Sequence, residues 1–326
     1  MSEPLRWGVL STANINEKML AGAALSPDLD VVAIASRDIR RAEAFGARWG
    51  IERAYGSYDD LLNDDGVDAI YVPLPNALHH TWSLRALRAG KHVLCEKPYS
   101  SRPAEVEEAF AEADARGLVL SEGFMYRYHP QIRALARFLH DDGLIGEVRL
   151  VVSSFTWATQ TPRDVRLNSS LDGGSLLDVG VYCLNATRLF AGEPQSVAAH
   201  QRLGPTGVDV SFAATMELAS GGLAHFDCGV DLPDRSHLEV VGTLGSLSVS
   251  DPWHGLEPGL TLVPSGEPAR RLSMPAANPY QLELEEFGKA VRQEAHHLMG
   301  RDDALHQARA VDALIRSAAS GRKESV

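Results

Sequence analysis

Arg6-Trp7-Gly8-Val9-Leu10-Ser11-Thr12-Ala13-Asn14-Ile15-Asn16 is a strand, a turn of small residues and the start of a helix. A short apolar strand ending at Leu10 runs into small residues, and a helical stretch follows from Glu17 to Leu25. The same alternation repeats outward. Strand Val31 to Ala35 precedes helix Ile39 to Trp49, and strand Asp68 to Val72 precedes helix Leu78 to Ala89. Strand Lys91 to Glu96 precedes helix Arg102 to Arg116, and strand Leu118 to Glu122 closes the series. Strands alternating with helices at this spacing predict an α/β fold with a parallel, doubly wound sheet.

The turn after the first strand is where a helix N-terminus can cradle a pyrophosphate. A dinucleotide fold usually shows G-x-G-x-x-G there. Here Ser11, Ala13 and Asn16 hold the three glycine places. Small Ser and Ala still permit close backbone approach, so Ser11, Thr12, Ala13, Asn14 and Ile15 are candidate cofactor contacts. An empty βαβ mouth is the competing reading of this loop. At the tip of the second strand Ser36 and Arg37 replace the acid that would grip a ribose 2′-OH, with Arg40 and Arg41 on the next turn. A hydroxyl and guanidinium groups suit a 2′-phosphate, which points to NADP over NAD. Asp38 is the counter-signal, as an acceptor for a ribose hydroxyl.

Lys97-Pro98 follows the strand ending in Glu96, at the sheet edge where reacting groups gather. A surface lysine paired with Glu96 is the plainer reading of that position. After Glu122 the pattern changes. Gly123 to Pro130 opens a long helix to about His140, and period-2 stretches follow at Glu147–Trp157, Gln195–Leu203, Val208–Leu218, Gly222–Val230 and His237–Val241. These predict a second, α+β domain with a large, mostly antiparallel open sheet, giving domains 1–122 and 123–326. Between its first two strands the stretch Ser175 to Phe190 is helical in period. Asp178 and Tyr182 stand four apart on one face, with Asn185 close by, a polar stripe suited to lining a cavity. A tyrosine satisfied at a domain interface is the alternative.

The 326 residues suffice for two cores, and 44% hydrophobic with 23% charged residues is an ordinary globular composition. A formal net charge of −12 argues against nucleic acid or an anionic membrane as partner. Three dispersed cysteines, Cys95, Cys183 and Cys228, indicate neither a disulfide framework nor a zinc site, and His79-His80 and His296-His297 lack helix-borne metal spacing, so no metal is expected. With no signal peptide or long apolar run, the cytoplasm is the expected location. His296-His297 is expected to mark a helix end, in a pair of tail helices over about Tyr280–Leu298 and Asp302–Ser320.

Glu96-Lys97-Pro98, Gly123-Phe124-Met125-Tyr126-Arg127 and Gly173-Gly174-x3-Asp178-x-Gly180-x-Tyr182, in this order, resemble the glucose–fructose oxidoreductase/inositol dehydrogenase (Gfo/Idh/MocA) family from end to end. Tyrosine at 182 resembles the branch of dihydrodiol dehydrogenases, xylose dehydrogenases and sugar 3-ketoreductases, which is typically NADP-linked. The resemblance implies that Lys97 and Tyr182 are catalytic and that Asp178 orients substrate. It also implies that Pro73, Leu74, Asn76 and His79, with Glu96 and Lys97, line the nicotinamide side of the cofactor, and that the Lys97–Pro98 bond is cis or otherwise constrained.

The chemistry follows from the residues. Hydride leaving a carbinol carbon requires removal of the hydroxyl proton. A phenol titrates near 10 in water, so acting as a base near neutrality takes roughly 4 kcal/mol of favourable interaction with its anion. A nearby ammonium and a cationic nicotinamide supply that in a dry cleft. Tyr182 is therefore read as acid/base with Lys97 as its electrostatic partner, although which of the two holds the mobile proton stays open. Arg127, His129, Arg166, Asp178 and Asn185 offer hydrogen bonds and Trp157 a flat face, a mixture suited to a sugar or cyclic diol. Arg163 and Arg166 also read as solvated loop charges. The leading expectation is an NADP-dependent oxidoreductase acting on a secondary hydroxyl or ketone. A redox-neutral lyase or glycosidase and a non-catalytic nucleotide-binding regulator are the alternatives. The uncovered sheet face predicts a homodimer or homotetramer through the C-terminal sheet.

Overall fold

The computed structural model describes residues 3–295 and 299–326. The elements of the first half are β1 (Leu5–Leu10), α1 (Ile15–Ala23), β2 (Leu29–Ala35), α2 (Ile39–Trp49), β3 (Arg53–Tyr55), α3 (Tyr58–Leu62), β4 (Ala69–Val72), α4 (His79–Arg88), β5 (His92–Glu96), α5 (Pro103–Arg116) and β6 (Leu120–Gly123). Local chemistry sets their ends. Asp38 caps α2 by accepting from the Arg40 N–H, and Gly50 stops it at a left-handed φ of 71°. Pro103 opens α5, and Gly117 ends it in the same left-handed way. The six strands are parallel in the order β3-β2-β1-β4-β5-β6, so the order reverses between β1 and β4, where open α/β sheets take their ligands.

Next come α6 (Pro130–His140), β7 (Val148–Ala158), α7 (Val181–Ala191), β8 (Pro194–Leu203), β9 (Asp209–Leu218), β10 (Leu223–Gly229), β11 (Asp231–Gly242), β12 (Gly245–Val249), β13 (Gly259–Pro264), β14 (Arg270–Ser273), α8 (Pro279–Val291), α9 (Arg301–Ser320) and β15 (Glu324–Ser325). Among the described residues their strands form one sheet in the order β14-β13-β12-β11-β7-β10-β9-β8-β15. Its pairs are antiparallel except β7 with β10. Strand β9 shows the reason for one covered face: Val210, Phe212, Ala214, Met216 and Leu218 are buried, while Ala213, Thr215 and Glu217 are exposed.

The chain divides into two compact units, one running through Met125 and including Asn278–Leu305, the other Tyr126–Ala277 with His306–Val326. This division differs from the expected domain 123–326 in the segment Asn278–Leu305, which groups with the first unit. Helix α8 packs on α1 so closely that a Cβ at Gly22 would lie 2.7 Å from the Gln281 nitrogen, and Phe287 meets Trp7 at 5.0 Å between ring centroids. Other differences are local. Strands β3, β12, β13, β14 and β15 and helix α3 were not expected. The stretch opening at Gly123 is a 3₁₀ turn (Met125–Tyr128) before α6. His296-His297 and Leu298 fall outside the described residues, and α8 ends at Val291. No described helix is long and apolar enough to cross a membrane.

Candidate active site

In the first unit, Ser11 follows β1 with φ +79°, a conformation L residues adopt rarely and glycine freely. Its neighbours hold it there. Ser11 N–H donates to the Ala35 carbonyl at 2.8 Å, Asn16 Nδ2 donates to the Ser11 carbonyl at 2.8 Å, and Ala13 N–H donates to Ser11 Oγ at 3.2 Å. The turn a glycine usually makes is made by a serine, and α1 begins directly after it.

At the tip of β2 the Ser36 hydroxyl accepts from Asp38 N–H at 3.3 Å. Asp38 itself caps α2 and pairs with the Arg40 guanidinium, Nη2 to Oδ2 3.2 Å. Its carboxylate is therefore committed to the helix end. Arg37 and Arg41 are exposed and both act electrostatically on Tyr58, whose phenol burial pushes up and whose two arginine neighbours pull down. Arg41 also donates to Thr12 Oγ1 at 3.1 Å, linking the β1 turn to this cationic tip. The set fits a 2′-phosphate: exposed cations beside the Ser36 and Thr12 hydroxyls, with the nearby acid engaged elsewhere.

The Lys97–Pro98 peptide is cis. Half-buried Lys97 lies on a segment pinned from two sides: His79 Nδ1 meets the Pro98 carbonyl at 2.7 Å, and Tyr99 N–H donates to Glu122 Oε1 at 2.8 Å. His79 Nε2 meets the Leu74 carbonyl, also at 2.7 Å, so this buried ring clips the loop after β4 to the loop after β5. His79, expected beside the cofactor, is placed as that clip. Pro73 and Leu74 are buried beneath the same edge, and Asn76 is half-buried on a 3₁₀ turn. Glu96 accepts the buried Tyr71 hydroxyl at 2.6 Å.

In the second unit, Gly173 and Gly174 are dictated by crowding. A Cβ at Gly173 would lie 2.4 Å from the Arg166 carbonyl, and one at Gly174, with φ +127°, would lie 2.1 Å from Asp209 Oδ1. Asp209 anchors the next turn, accepting from Ser175 Oγ and Leu176 N–H, each at 2.7 Å. That turn, Leu176–Gly180, is π-helical and leads into α7, so the expected uniform helix from Ser175 is corrected at its start.

Asp178, on the π turn, has its carboxylate held from two directions. Arg166 Nε stands 2.9 Å from Oδ1, an ion pair rather than a well-directed hydrogen bond, and Trp157 Nε1 donates to Oδ2 at 3.1 Å. The Arg166 guanidinium also lies 5.1 Å from the Trp157 ring centroid and 3.3 Å from Asp164 Oδ1. Burial is the largest single influence on its pKa and lowers it, but Asp178 and Asp164 together outweigh burial and raise it. The loop that delivers Arg166 is closed by Gly174 N–H on the Arg166 carbonyl at 2.8 Å. Tyr182 sits in an aromatic wall, with ring centroids 5.5 Å from Phe155, 5.7 Å from Tyr126 and 5.9 Å from Trp253.

Two residues expected at the substrate belong to this frame instead. Asn185 is wholly buried and accepts the Tyr126 hydroxyl at 2.7 Å. His129, 1% exposed, caps α6 by accepting from Gln131 N–H and packs against Gly255, with burial lowering its pKa. Arg127 is half-buried in the 3₁₀ turn. Trp253 and His254 were missed. Trp253 is stacked on Phe155 at 5.6 Å, and His254 lies edge-on to the same ring. An aromatic pair in the loop Asp251-Pro252-Trp253-His254 was the available signal. Among the described residues no group of three or more His, Cys, Asp or Glu side chains could hold a metal ion.

Comparison with known proteins places this arrangement. Residues 5–124 match the family model described as "Oxidoreductase family, NAD-binding Rossmann fold", and residues 134–248 match the "GFO/IDH/MocA C-terminal domain". D-xylose 1-dehydrogenase (NADP(+)) 2 of Haloferax volcanii is 35% identical over 324 residues, covering 97% of this chain and 98% of that protein. A trans-1,2-dihydrobenzene-1,2-diol dehydrogenase of Sus scrofa is 36% identical over 76% of this chain and 75% of its own. The crystal structure of KijD10, a 3-ketoreductase from Actinomadura kijaniata in complex with NADP and TDP-benzene, superposes with a TM-score of 0.91 at 36% identity, covering 97% and 98% of the two chains.

Proposed function

The chain belongs to the Gfo/Idh/MocA oxidoreductase family, and from that premise we propose that it transfers hydride between NADP and a secondary hydroxyl, or the corresponding ketone, of a sugar or cyclic diol. The observation that carries the reading is Tyr182, a phenol set among Phe155, Tyr126 and Trp253 just after an aspartate clasped by Arg166 and Trp157. That is a proton-handling group beside a hydrogen-bonding carboxylate in aromatic surroundings, as a polyol with apolar CH faces requires.

Ser11, Thr12, Ala13, Asn14 and Ile15 hold the pyrophosphate with main-chain groups of the β1 turn, Ser36, Arg37 and Arg41 hold the 2′-phosphate, and the edge from Pro73 and Leu74 through Asn76 to Glu96 and Lys97 takes the nicotinamide half. When bound, NADP supplies the hydride acceptor or donor. Tyr182 removes the hydroxyl proton as the carbon is oxidised and returns it in reduction. Lys97 is the second catalytic group, a cation whose charge favours the phenolate form. Asp178, aimed by Arg166 and Trp157, accepts from a second substrate hydroxyl, with Trp157 and Arg127 at the same substrate. His129 and Asn185 serve this site as frame.

The outer face of the large sheet, where His225, Arg235 and His237 are exposed, is covered by a second copy, giving a dimer or a tetramer, and the protein works in the cytoplasm. Incubation of the purified protein with NADP and a panel of aldoses and cyclic diols tests the activity. Accumulation of reduced cofactor supports it. Product formed without accumulation replaces it with the redox-neutral alternative, and no turnover of any member with NADP or NADPH removes it.

A further inference from the structure

Glu283 is a buried acid that the mechanism does not use. It lies on α8 at 2% exposure, and its Oε1 accepts no hydrogen bond. Tyr280, one turn earlier on the same helix, is 8% exposed. Coupled electrostatically to both is Glu96, the residue before Lys97, whose Oε1 receives the 1%-exposed Tyr71 hydroxyl at 2.6 Å. Glu283 and Glu96 act on each other and on both phenols. Facing Glu283 are thus Glu96 from β5, with Lys97 next in the chain, Tyr71 from β4 and Tyr280 from α8. The buried positions of α1 (Asn16, Met19, Leu20, Gly22, Ala23) and of β2 (Leu29, Ala33, Ile34, Ala35) carry no titratable group.

A buried carboxyl group beside a second, half-buried carboxylate resists ionising without an added cation. Glu96 has a phenol donating to it, whereas Glu283 has an oxygen with no donor, so Glu283 is the group that keeps the proton. Burial, then the neighbouring Glu96 charge, hold its pKa well above the carboxylate range. The network sits at the carboxyl ends of β4 and β5, the edge that faces the nicotinamide in the reading above.

We propose that Glu283 is a positioning residue that holds a proton while the nicotinamide is absent or reduced and gives it up when the oxidised, cationic ring binds. The inference rests on the NADP reading of the first unit. The balance is simple: the Glu283 O–H bond breaks, its electrons stay on the carboxylate, and the proton passes to buffer. Nothing is oxidised or reduced. The protein then carries one more negative charge with NADP⁺ bound than with NADPH bound, which favours the oxidised cofactor increasingly as pH rises, by at most about tenfold in affinity per pH unit.

The test is calorimetric titration of the full chain at pH 8 in two buffers of different ionisation enthalpy, for wild type and Glu283→Gln, with NADP⁺ and with NADPH. Glutamine mimics the protonated acid. A fraction of a proton per site released by wild type on NADP⁺, none on NADPH, and none by the variant is the expected result. Equal release by both proteins, or none by wild type, overturns the proposal. Infrared difference spectra of wild type with and without NADP⁺ give a second readout that needs no variant: carboxylic-acid absorption must fall on binding, and an unchanged band is fatal. A protein that takes up neither cofactor gives no binding heat at all, which removes the NADP reading and the inference resting on it; binding without proton release removes the inference alone.

Discussion

Arg166→Met probes the clasp on Asp178 most sharply, because it removes the guanidinium and keeps a stem of similar length against Trp157. The Asp178 side chain is 11% exposed and that of Arg166 40%. Breaking a fully buried ion pair costs about 3–5 kcal/mol, while an exposed pair contributes roughly 0–1 kcal/mol. With one partner nearly buried and the other open to water, about 2 kcal/mol is the appropriate figure. Loss of the guanidinium 5.1 Å from the Trp157 centroid adds about 0.5–1 kcal/mol. The variant is thus expected to lose about 2.5 kcal/mol at pH 7. In Asp178→Asn the cation keeps only Asp164, and the double variant leaves neither Asp178 nor Arg166 stranded, so the pair should couple by about 1.5 kcal/mol. Urea unfolding of wild type, both single variants and the double variant, followed by tryptophan fluorescence, measures this. Additive losses, with coupling under about 0.5 kcal/mol, would refute the reasoning.

Gly174→Ala should cost about 3 kcal/mol or more, from strain at φ +127° plus displacement of Asp209, whereas Gly207→Ala, at φ +83° with open space around it, should cost only about 1–2 kcal/mol; equal melting shifts for the two would contradict the crowding argument. Arg37→Ala and Arg41→Ala should each weaken NADP about tenfold or more, roughly the 1.5 kcal/mol of a charged hydrogen bond, and leave NAD nearly unchanged; fluorescence titration with both reduced cofactors checks this, and equal losses would count against the 2′-phosphate assignment. Glu283 binds its proton more tightly folded than unfolded, so its contribution to stability is full below about pH 4 and declines by up to about 1.4 kcal/mol per pH unit until its folded pKa is passed. Glu283→Gln should flatten that decline in denaturation measured from pH 5 to 8, and parallel wild-type and variant curves would argue against a proton held there.

The nucleotide-binding half was legible because its strands are continuous apolar runs separated by helix signals such as Asp38, Gly50, Pro103 and Gly117. Its missing glycines were not a missing fold: Ser11 adopts φ +79° because Ala35, Asn16 and Ala13 hold it there, a network that sequence spacing does not reveal. The competing signals at Asp38 separate only once its carboxylate is seen capping α2. In the second unit the period-2 strands were visible, but β12 to β14 are short and broken by Gly, Pro and Ser, so periodicity had little to act on. Four-residue spacing put Asp178, Tyr182 and Asn185 on one stripe. The π turn and burial separate them, with Asn185 going to the core. Trp253 comes from 71 positions further along the chain than Tyr182, a long-range placement that no local pattern records. The same holds for α8, whose packing on α1 depends on Gly22 lacking a side chain.

We propose that Lys97 and Tyr182 both serve the proton transfer, and a double-mutant cycle in kcat/KM measures that directly. With the best substrate of the aldose and diol panel, Lys97→Ala and Tyr182→Phe should each lower kcat/KM by about 10²–10⁴, the usual worth of general acid–base catalysis, and the double variant should fall no more than about tenfold below the worse single one. Losses that multiply, or a single variant that keeps near-normal turnover, would contradict it.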